Sequence, residues 1–352
     1  MPVRYRAGQG RGRARLCRRL AESSASRRGR DDSPRLNAGS FNVRQLNING
    51  RIEIRRPRFW IARQALIENL LVRSPIRRFH RVSVIMVYRY NSAVTRREQL
   101  KTNLMKEKLL AGQPAFGVSM IIPSPQLVEM IAELGFDWVL LDCEHGTLSI
   151  ESVELLCMAA DANGITPIAR PAVNAPEAIA PLLDRGAMGV QVPHVNSGED
   201  ARRAVEAVKF YPQGKRGMAA GTRPSRYGLS GSVADYAEQS NRETLVCVQL
   251  EDFEAIENAD EILRVEGIDV FFIGPSDLSQ SMGFVGRPDA PEVKLVIDAT
   301  LGKIVTAGKT PGMPGKIETV AKIQEQGVLY IYTHIPMLLS KASRDFFNVV
   351  NA

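Results

Sequence analysis

Eight short apolar runs recur along the chain beyond residue 114, with amphipathic stretches between them. The runs are AFGVSM (115–120), DWVLLD (137–142), TPIARP (166–171), GVQVPHV (189–195), TLVCVQLE (244–251), DVFFIG (269–274), KTPGMP (309–314) and VLYIYTH (328–334). The intervening text includes PQLVEMIAEL, SVELLCMAADA, EAIAPLLDRG, GEDARRAVEAVKF and KIETVAKIQEQG, whose apolar spacing suits one face of a helix. Gly135, Gly164, Gly186 and Gly327 close several of these stretches, as helix C-terminal glycines do. Strands that alternate with helices predict a parallel sheet. Their near-continuous apolarity fits strands covered on both faces. A count of eight favours an α/β fold of the closed (β/α)8 type over an open doubly wound sheet, with KTPGMP as the weakest strand. The segment 211–243 reads as a long insert between the fourth and fifth strands, an expected active-site rim. Its Arg216, Arg223 and Arg226 could meet an anionic substrate or simply face solvent.

Charge divides the chain in two. Residues 1–100 hold 24 arginines, no lysine and 6 acidic residues. That is +18, and +8 for the whole chain leaves −10 for the rest. Such an asymmetry marks a boundary. We place it between an Arg-rich extension, 1–104, and a barrel domain, 105–352. Residues 1–40 lack a core-forming period and are expected to be disordered. Apolar patches in FWIARQALIENLLV and VSVIMVYRY specify no domain. The extension reads as a nucleic-acid arm, an organellar leader, or text upstream of the true start. Met105 is then a credible first residue, leaving 248 residues, a usual barrel size. Cys17, Cys143, Cys157 and Cys247 have no metal-ligand spacing, and a reducing cytoplasm fits them. No apolar run is long enough to span a bilayer.

In a barrel, chemistry gathers at the C-terminal ends of the strands. Four polar residues stand there: His145, Arg170, Glu251 and Asp277. Glu251 and Asp277, on successive strands, can converge on a divalent cation, and oxygen ligands without a Cys or His cluster suit Mg²⁺ or Mn²⁺. Asp277 could instead cap the helix begun by DLSQSMG. Arg170 has the planar fork that holds a carboxylate, and His145 can move a proton near neutrality. Asp184 could orient an imidazole or merely end a helix. His194 and His334 also lie near strand ends, as substrate contacts or hydrogen-bonded filler. A Schiff-base mechanism needs an interior lysine, and the six strands before KTPGMP contain none. GQGRG and GMPGK lack the context of nucleotide-binding loops, whereas the Gly274-Pro275-Ser276 turn could offer N–H groups to a carboxylate.

From about Lys106 to Phe347 the chain resembles the HpcH/HpaI aldolase family, metal-dependent class II aldolases of pyruvate. The resemblance rests on GFDWVLLDCEHG, the ARP segment, LLDRGAMGVQVPHV, YPQGKRG, VQLE and GIDVFFIGPSDLSQSMG in that order. It implies Glu251 and Asp277 as metal ligands, with Mg²⁺, Mn²⁺ or Co²⁺ as the ion. It implies Arg170 as the enolate-stabilising arginine and His145 as the proton-transferring histidine, supported by Asp184. Gln249, Pro275 and Ser276 would line the pyruvate site. A homohexamer with a swapped last helix is the implied assembly. The chain departs from the pattern at IYTHIP (331–336), in place of a Gly-Val-Asp-like turn, so Tyr332, Thr333 and His334 are expected near the mouth, where the acceptor is chosen.

The expected reaction is reversible cleavage of a 4-hydroxy-2-oxo acid to pyruvate and a small aldehyde. One rival is an acyl-CoA lyase akin to the citrate lyase β subunit, which needs room for a nucleotide tail. Another is a non-catalytic barrel with a basic nucleic-acid-binding arm, supported by the extension alone.

Overall fold

The structure, a computed structural model, describes residues 101–350, so expectations about residues 1–100 lie outside it. Helix α1 (Leu104–Leu110) comes first, then β1 (Ala115–Met120), α2 (Pro125–Glu133), β2 (Trp138–Asp142), α3 (Ile150–Asn163) and β3 (Thr166–Arg170). Next are α4 (Pro176–Asp184), β4 (Gly189–Val192), α5 (Gly198–Val208), α6 (Val233–Glu243) and β5 (Leu245–Leu250). The short helices α7 (Phe253–Glu257) and α8 (Ala259–Ile262) lead to β6 (Val270–Ile273), α9 (Pro275–Ser281) and α10 (Pro291–Thr306). The described part ends with β7 (Pro311–Pro314), α11 (Val320–Glu325), β8 (Tyr330–His334) and α12 (Ile335–Val350). The eight strands pair in parallel, in chain order, and β8 closes on β1. All eight apolar runs are therefore strands of one barrel: AFGVSM matches β1 end to end, and the other seven are trimmed by one to three residues.

Helix starts are set by local chemistry. Ser124, Ser149, Ser197 and Ser232 each cap a helix by accepting an N–H three residues on, and Pro125 takes the first helical position of α2. The long insert differs from expectation. Its last third is helix α6, so the irregular connection is confined to 209–232 apart from a single 3₁₀ turn.

Strand alternation sorts the apolar side chains into two cores. One face of each strand packs outward under the helices, as Val118, Leu141, Val190, Val248 and Ile331 do. The other fills the barrel with Trp138, Leu140, Ile168, Leu245, Cys247, Val270, Phe272, Tyr330 and Tyr332. Met105 and Leu109 of α1 join this inner core, so α1 plugs the N-terminal end. Asn103 caps α1 through Lys106 N–H, and its amide donates to the Met188 and Glu243 carbonyls. The division between 104 and 105 thus falls inside α1, one residue past its start. Bulky aromatics on the inside demand glycine opposite. A Cβ on Gly117 would stand 2.4 Å from the Trp138 ring, and one on Gly312 2.9 Å from Phe272. The weak seventh strand forms because Pro311 needs no donor there: its carbonyl accepts from Leu329 N–H at 3.1 Å.

No helix of the described residues is long and apolar enough to cross a membrane.

Candidate active site

With α1 closing one end of the barrel, chemistry is left to the other, where each strand delivers its last inward residue. Asp142 ends β2 and Arg170 ends β3, and they are register partners. Arg170 Nε donates to Asp142 Oδ1 at 3.0 Å, and Nη2 donates to Oδ2, a bidentate pair almost wholly buried. Asp142 Oδ1 also accepts the N–H groups of Glu144 and His145, both at 3.1 Å, which folds the turn after β2 over the mouth. Burial works against the Asp142 charge, yet Arg170 and these two N–H groups outweigh it and hold the carboxyl below its usual range.

Glu144 stands at the centre. Its Oε2 lies 3.2 Å from Arg170 Nε and 3.6 Å from His145 Nε2, and its Oε1 lies 3.7 Å from His194 Nε2. Burial raises its pKa despite these three neighbours. His145 itself is open to solvent, its side chain 61% exposed. His194 follows Pro193 with a left-handed backbone, φ 51°. That conformation aims its N–H at Glu251 Oε1 (2.9 Å) and its Nδ1 at Asp252 Oδ2 (2.9 Å). Burial disfavours the imidazolium, but Asp252, Glu251 and Glu144 prevail and the pKa rises. Strain of this kind is held only where the surroundings over-determine it, as at working sites.

Glu251 follows β5 and is 2% exposed. Its Oε2 accepts from Gln249 Nε2, Gln249 Oε1 from Gln191 Nε2, and Gln191 Oε1 from Tyr330 OH at 3.0 Å. A buried polar chain thus runs from the inner core to the site. Gly274 lets the next strand pass close, since a Cβ there would lie 2.8 Å from Glu251 Cβ. Pro275, Ser276 and Asp277 then form the first turn of α9. Burial raises the Glu251 pKa, and the negative charges of Asp277 and Glu144 add to it while His194 opposes. Acidic oxygens that repel one another at a buried point fit a hard cation, whose charge relieves the repulsion. No group of three or more His, Cys, Asp or Glu among the described residues forms a ready metal cage. Two protein carboxylates, with substrate and water completing the shell, is the usual Mg²⁺ arrangement.

The structure thus brings His145, Arg170, Gln249, Glu251, Pro275, Ser276 and Asp277 to one end of the barrel. Asp184 is elsewhere. It ends α4, at the N-terminal face, and accepts from Arg216 Nη2 at 2.7 Å. Arg216 stacks over Phe210 at 4.6 Å, and Arg223 pairs with Asp161. Neither meets the mouth; the insert lines a cavity of about 400 Å³ at the opposite end. Tyr332 and His334 point inward and Thr333 outward, by alternation with Tyr330 and Ile331. Asp142, Glu144, Gln191 and Asp252 received no role from the sequence. The Asp-x-Glu-His spacing at 142–145 was the available signal for the first two; the others depend on how strands align.

Residues 120–327 match the family model described as HpcH/HpaI aldolase/citrate lyase. A 4-hydroxy-2-oxo-heptane-1,7-dioate aldolase of Salmonella dublin is 38% identical over 230 residues, 65% of this chain and 87% of that protein. The enzyme of the same name from Shigella flexneri is 37% identical over 243 residues, 68% and 90% of the two chains. Among solved structures, an HpcH/HpaI aldolase/citrate lyase family protein from Burkholderia cenocepacia superposes with a TM-score of 0.67 at 27% identity. The match covers 71% of this chain and all of that one. An HpcH/HpaI aldolase from Desulfitobacterium hafniense gives 0.66 at 26%, covering 71% and 97%.

Proposed function

The chain belongs to the HpcH/HpaI aldolase/citrate lyase family, and we propose that it cleaves a 4-hydroxy-2-oxo acid reversibly into pyruvate and a small aldehyde. It is a carbon–carbon lyase of the class II aldolase type. The observation that carries the mechanism is the meeting of Arg170 with the mutually repelling acids Glu251, Asp277 and Glu144 at one barrel mouth. Glu251 and Asp277 would hold a divalent cation, Mg²⁺, Mn²⁺ or Co²⁺, which supplies positive charge beside the 2-oxo group.

The chain's own residues do the rest. Asp142 fixes the Arg170 guanidinium, which steadies negative charge on the 2-oxo oxygen as it develops. His145, solvent-facing at the rim, takes the proton of the C4 hydroxyl. The C4–O bond becomes the aldehyde carbonyl, the C3–C4 pair passes to the pyruvate enolate, and a proton added at C3 completes pyruvate. Glu144, between His145 and Arg170, is placed to hold the imidazolium that forms. Gln249, Pro275 and Ser276 line the pyruvate side.

Asp184 is bound to Arg216 at the far end of its own barrel, so it supports His145 only across a contact between subunits. A homohexamer would supply that contact. Helix α12 favours association, with Leu339, Phe346, Phe347 and Val350 each 58–67% exposed. We further assign the protein to the cytoplasm, which the free thiols of Cys143, Cys157 and Cys247 suit. Residues 1 to about 100 are read as an extension dispensable for cleavage, whereas Asn103 is needed for its cap on α1.

The test is purified protein with pyruvate, a series of aldehydes and a series of divalent ions. Chelation should abolish cleavage and Mg²⁺, Mn²⁺ or Co²⁺ restore it; full turnover in rigorously metal-free enzyme would sink the assignment.

A further inference from the structure

At the same mouth, β1 and β8 carry two polar side chains that no described residue hydrogen-bonds. Ser119 and His334 are register partners on these neighbouring strands. Each lies four residues beyond an inner-core residue, Ala115 and Tyr330, so both face the barrel interior. Ser119 is 2% exposed, and its Oγ has no hydrogen-bond partner. A buried hydroxyl left this way is costly, and its persistence points to a ligand that completes it. His334 packs edge-on against Tyr332, ring centroids 5.4 Å apart, and Tyr332 stacks flat on Phe272. The His334 ring makes no hydrogen bond to another described residue. Only β1 separates its strand from β2, which ends in Asp142, and the charges of Arg170 and Asp142 both reach the ring. Burial first, then Arg170, push its pKa down against the opposing pull of Asp142, so the ring is neutral and offers one donor and one acceptor. The serine hydroxyl offers the same. Such a pair complements another hydroxyl; a carboxylate would call for donors and positive charge instead.

We propose that Ser119 and His334 form the subsite for the aldehyde half of the substrate and select a hydroxyaldehyde, one with a hydroxyl on the carbon next to its carbonyl. This rests on the aldolase reading above. In the cleavage direction the pair would bind the hydroxyl on C5 of the substrate. The aromatic floor of Tyr332 and Phe272 beneath would receive the carbon chain.

The experiment uses the full chain with pyruvate, a divalent ion, and two aldehydes that differ by that one hydroxyl, lactaldehyde and propanal. Succinic semialdehyde, which carries a carboxylate, is the third arm. The readout is the ratio of kcat/KM for lactaldehyde over propanal. Exchange of the pyruvate methyl protons with deuterated solvent is followed alongside, as a report on the pyruvate half of the site. The wild-type ratio should be about tenfold or more, the scale of two neutral hydrogen bonds. Ser119→Ala and His334→Phe should each pull it towards one. His334→Gln, which keeps a donor and an acceptor, should retain part of the preference and guards against a misfolded aromatic variant. A wild-type ratio near one, a ratio unmoved by the substitutions, or a preference for succinic semialdehyde would each overturn the subsite while exchange leaves the aldolase reading standing. Wild-type protein that neither exchanges nor condenses would overturn the aldolase reading, and the subsite with it.

Discussion

The two ends of the barrel use the same residue types to opposite ends. At the N-terminal face, the buried Arg216 and Lys209 and the half-buried Arg223 have settled partners. Arg216 binds Asp184, Arg223 binds Asp161, and Lys209 Nζ donates to the carbonyls of Asn241 and Thr244. At the C-terminal mouth, acids outnumber cations. Glu144, Glu251 and Asp277 crowd together, and Glu144 and Glu251 have raised pKa values. Pairing that is complete holds a fold; pairing left incomplete around a cleft marks where a substrate or ion is to be bound. Arginine in a loop is therefore uninformative until its end of the barrel is known.

The largest effect expected from this contrast is at Arg170. Arg170→Ala removes the charge that steadies both pyruvate and its enolate. Binding of pyruvate, exchange of its methyl protons and cleavage should fall together, cleavage by on the order of 10³-fold. Asp142 is left buried without its partner, so some stability goes too, and rates should be normalised to folded protein. Normal exchange in this variant would detach Arg170 from the chemistry and blur the distinction between the two ends.

His145→Ala should break the reaction in a different place. It removes the base for the C4 hydroxyl and leaves Arg170, Glu251 and Asp277 intact. Cleavage should drop roughly 10²–10⁴-fold. The pyruvate competition constant should change far less. Near-normal cleavage would transfer the role to His194, whose Nε2 reaches the same Glu144.

These outcomes bear on what a sequence can tell. The strands were legible because a parallel barrel buries both faces of every strand, which leaves runs such as VFFI without polar interruption. The position of Arg170, Glu251 and Asp277 at the mouth was legible because a strand's end is also the barrel's mouth. The position of Asp184 was not, because the end of a helix lies at the opposite face from the end of the preceding strand. His194 was underrated because its left-handed backbone, which aims two groups at Glu251 and Asp252, leaves no trace in periodicity. The arginines of the insert pointed to an active-site rim only while the path of residues 209–232 was unknown.

At the N-terminal face a substitution should cost stability before chemistry. Arg216→Ala strands Asp184 and forfeits the stacking on Phe210. Asp184 is partly solvated, so the loss should be about 2–3 kcal/mol, below the range for a fully buried pair. Chemical denaturation measures it, and the loss of turnover per folded molecule should be smaller than in Arg170→Ala. A stability change within a few tenths of a kcal/mol would show that this end is not held by its ion pairs.

The smallest effect is the most specific to that end. Lys209 is 3% exposed, and burial, with Lys106 adding to it, lowers its pKa from 10.5 to about 8. Its Nζ donates only to carbonyls, which stabilise the ammonium without neutralising it. Between pH 8 and 10.5 the unfolded chain keeps this proton and the folded chain has released it. The unfolded state then binds more protons, so this group makes stability rise with pH across that window, by at most about 1.4 kcal/mol per pH unit. Below pH 8 the full cost of burying the charge is present and the contribution is flat. Lys209→Met keeps the length of the side chain and removes the titration. Other groups titrate in the same range, so the quantity to measure is the stability difference, wild type minus variant, from denaturation at pH 7 to 10.5. That difference should be flat to about pH 8 and climb above it. A difference that stays flat to pH 10.5 would mean the ammonium is fully satisfied by its carbonyls, and the N-terminal face would then carry no electrostatic strain at all.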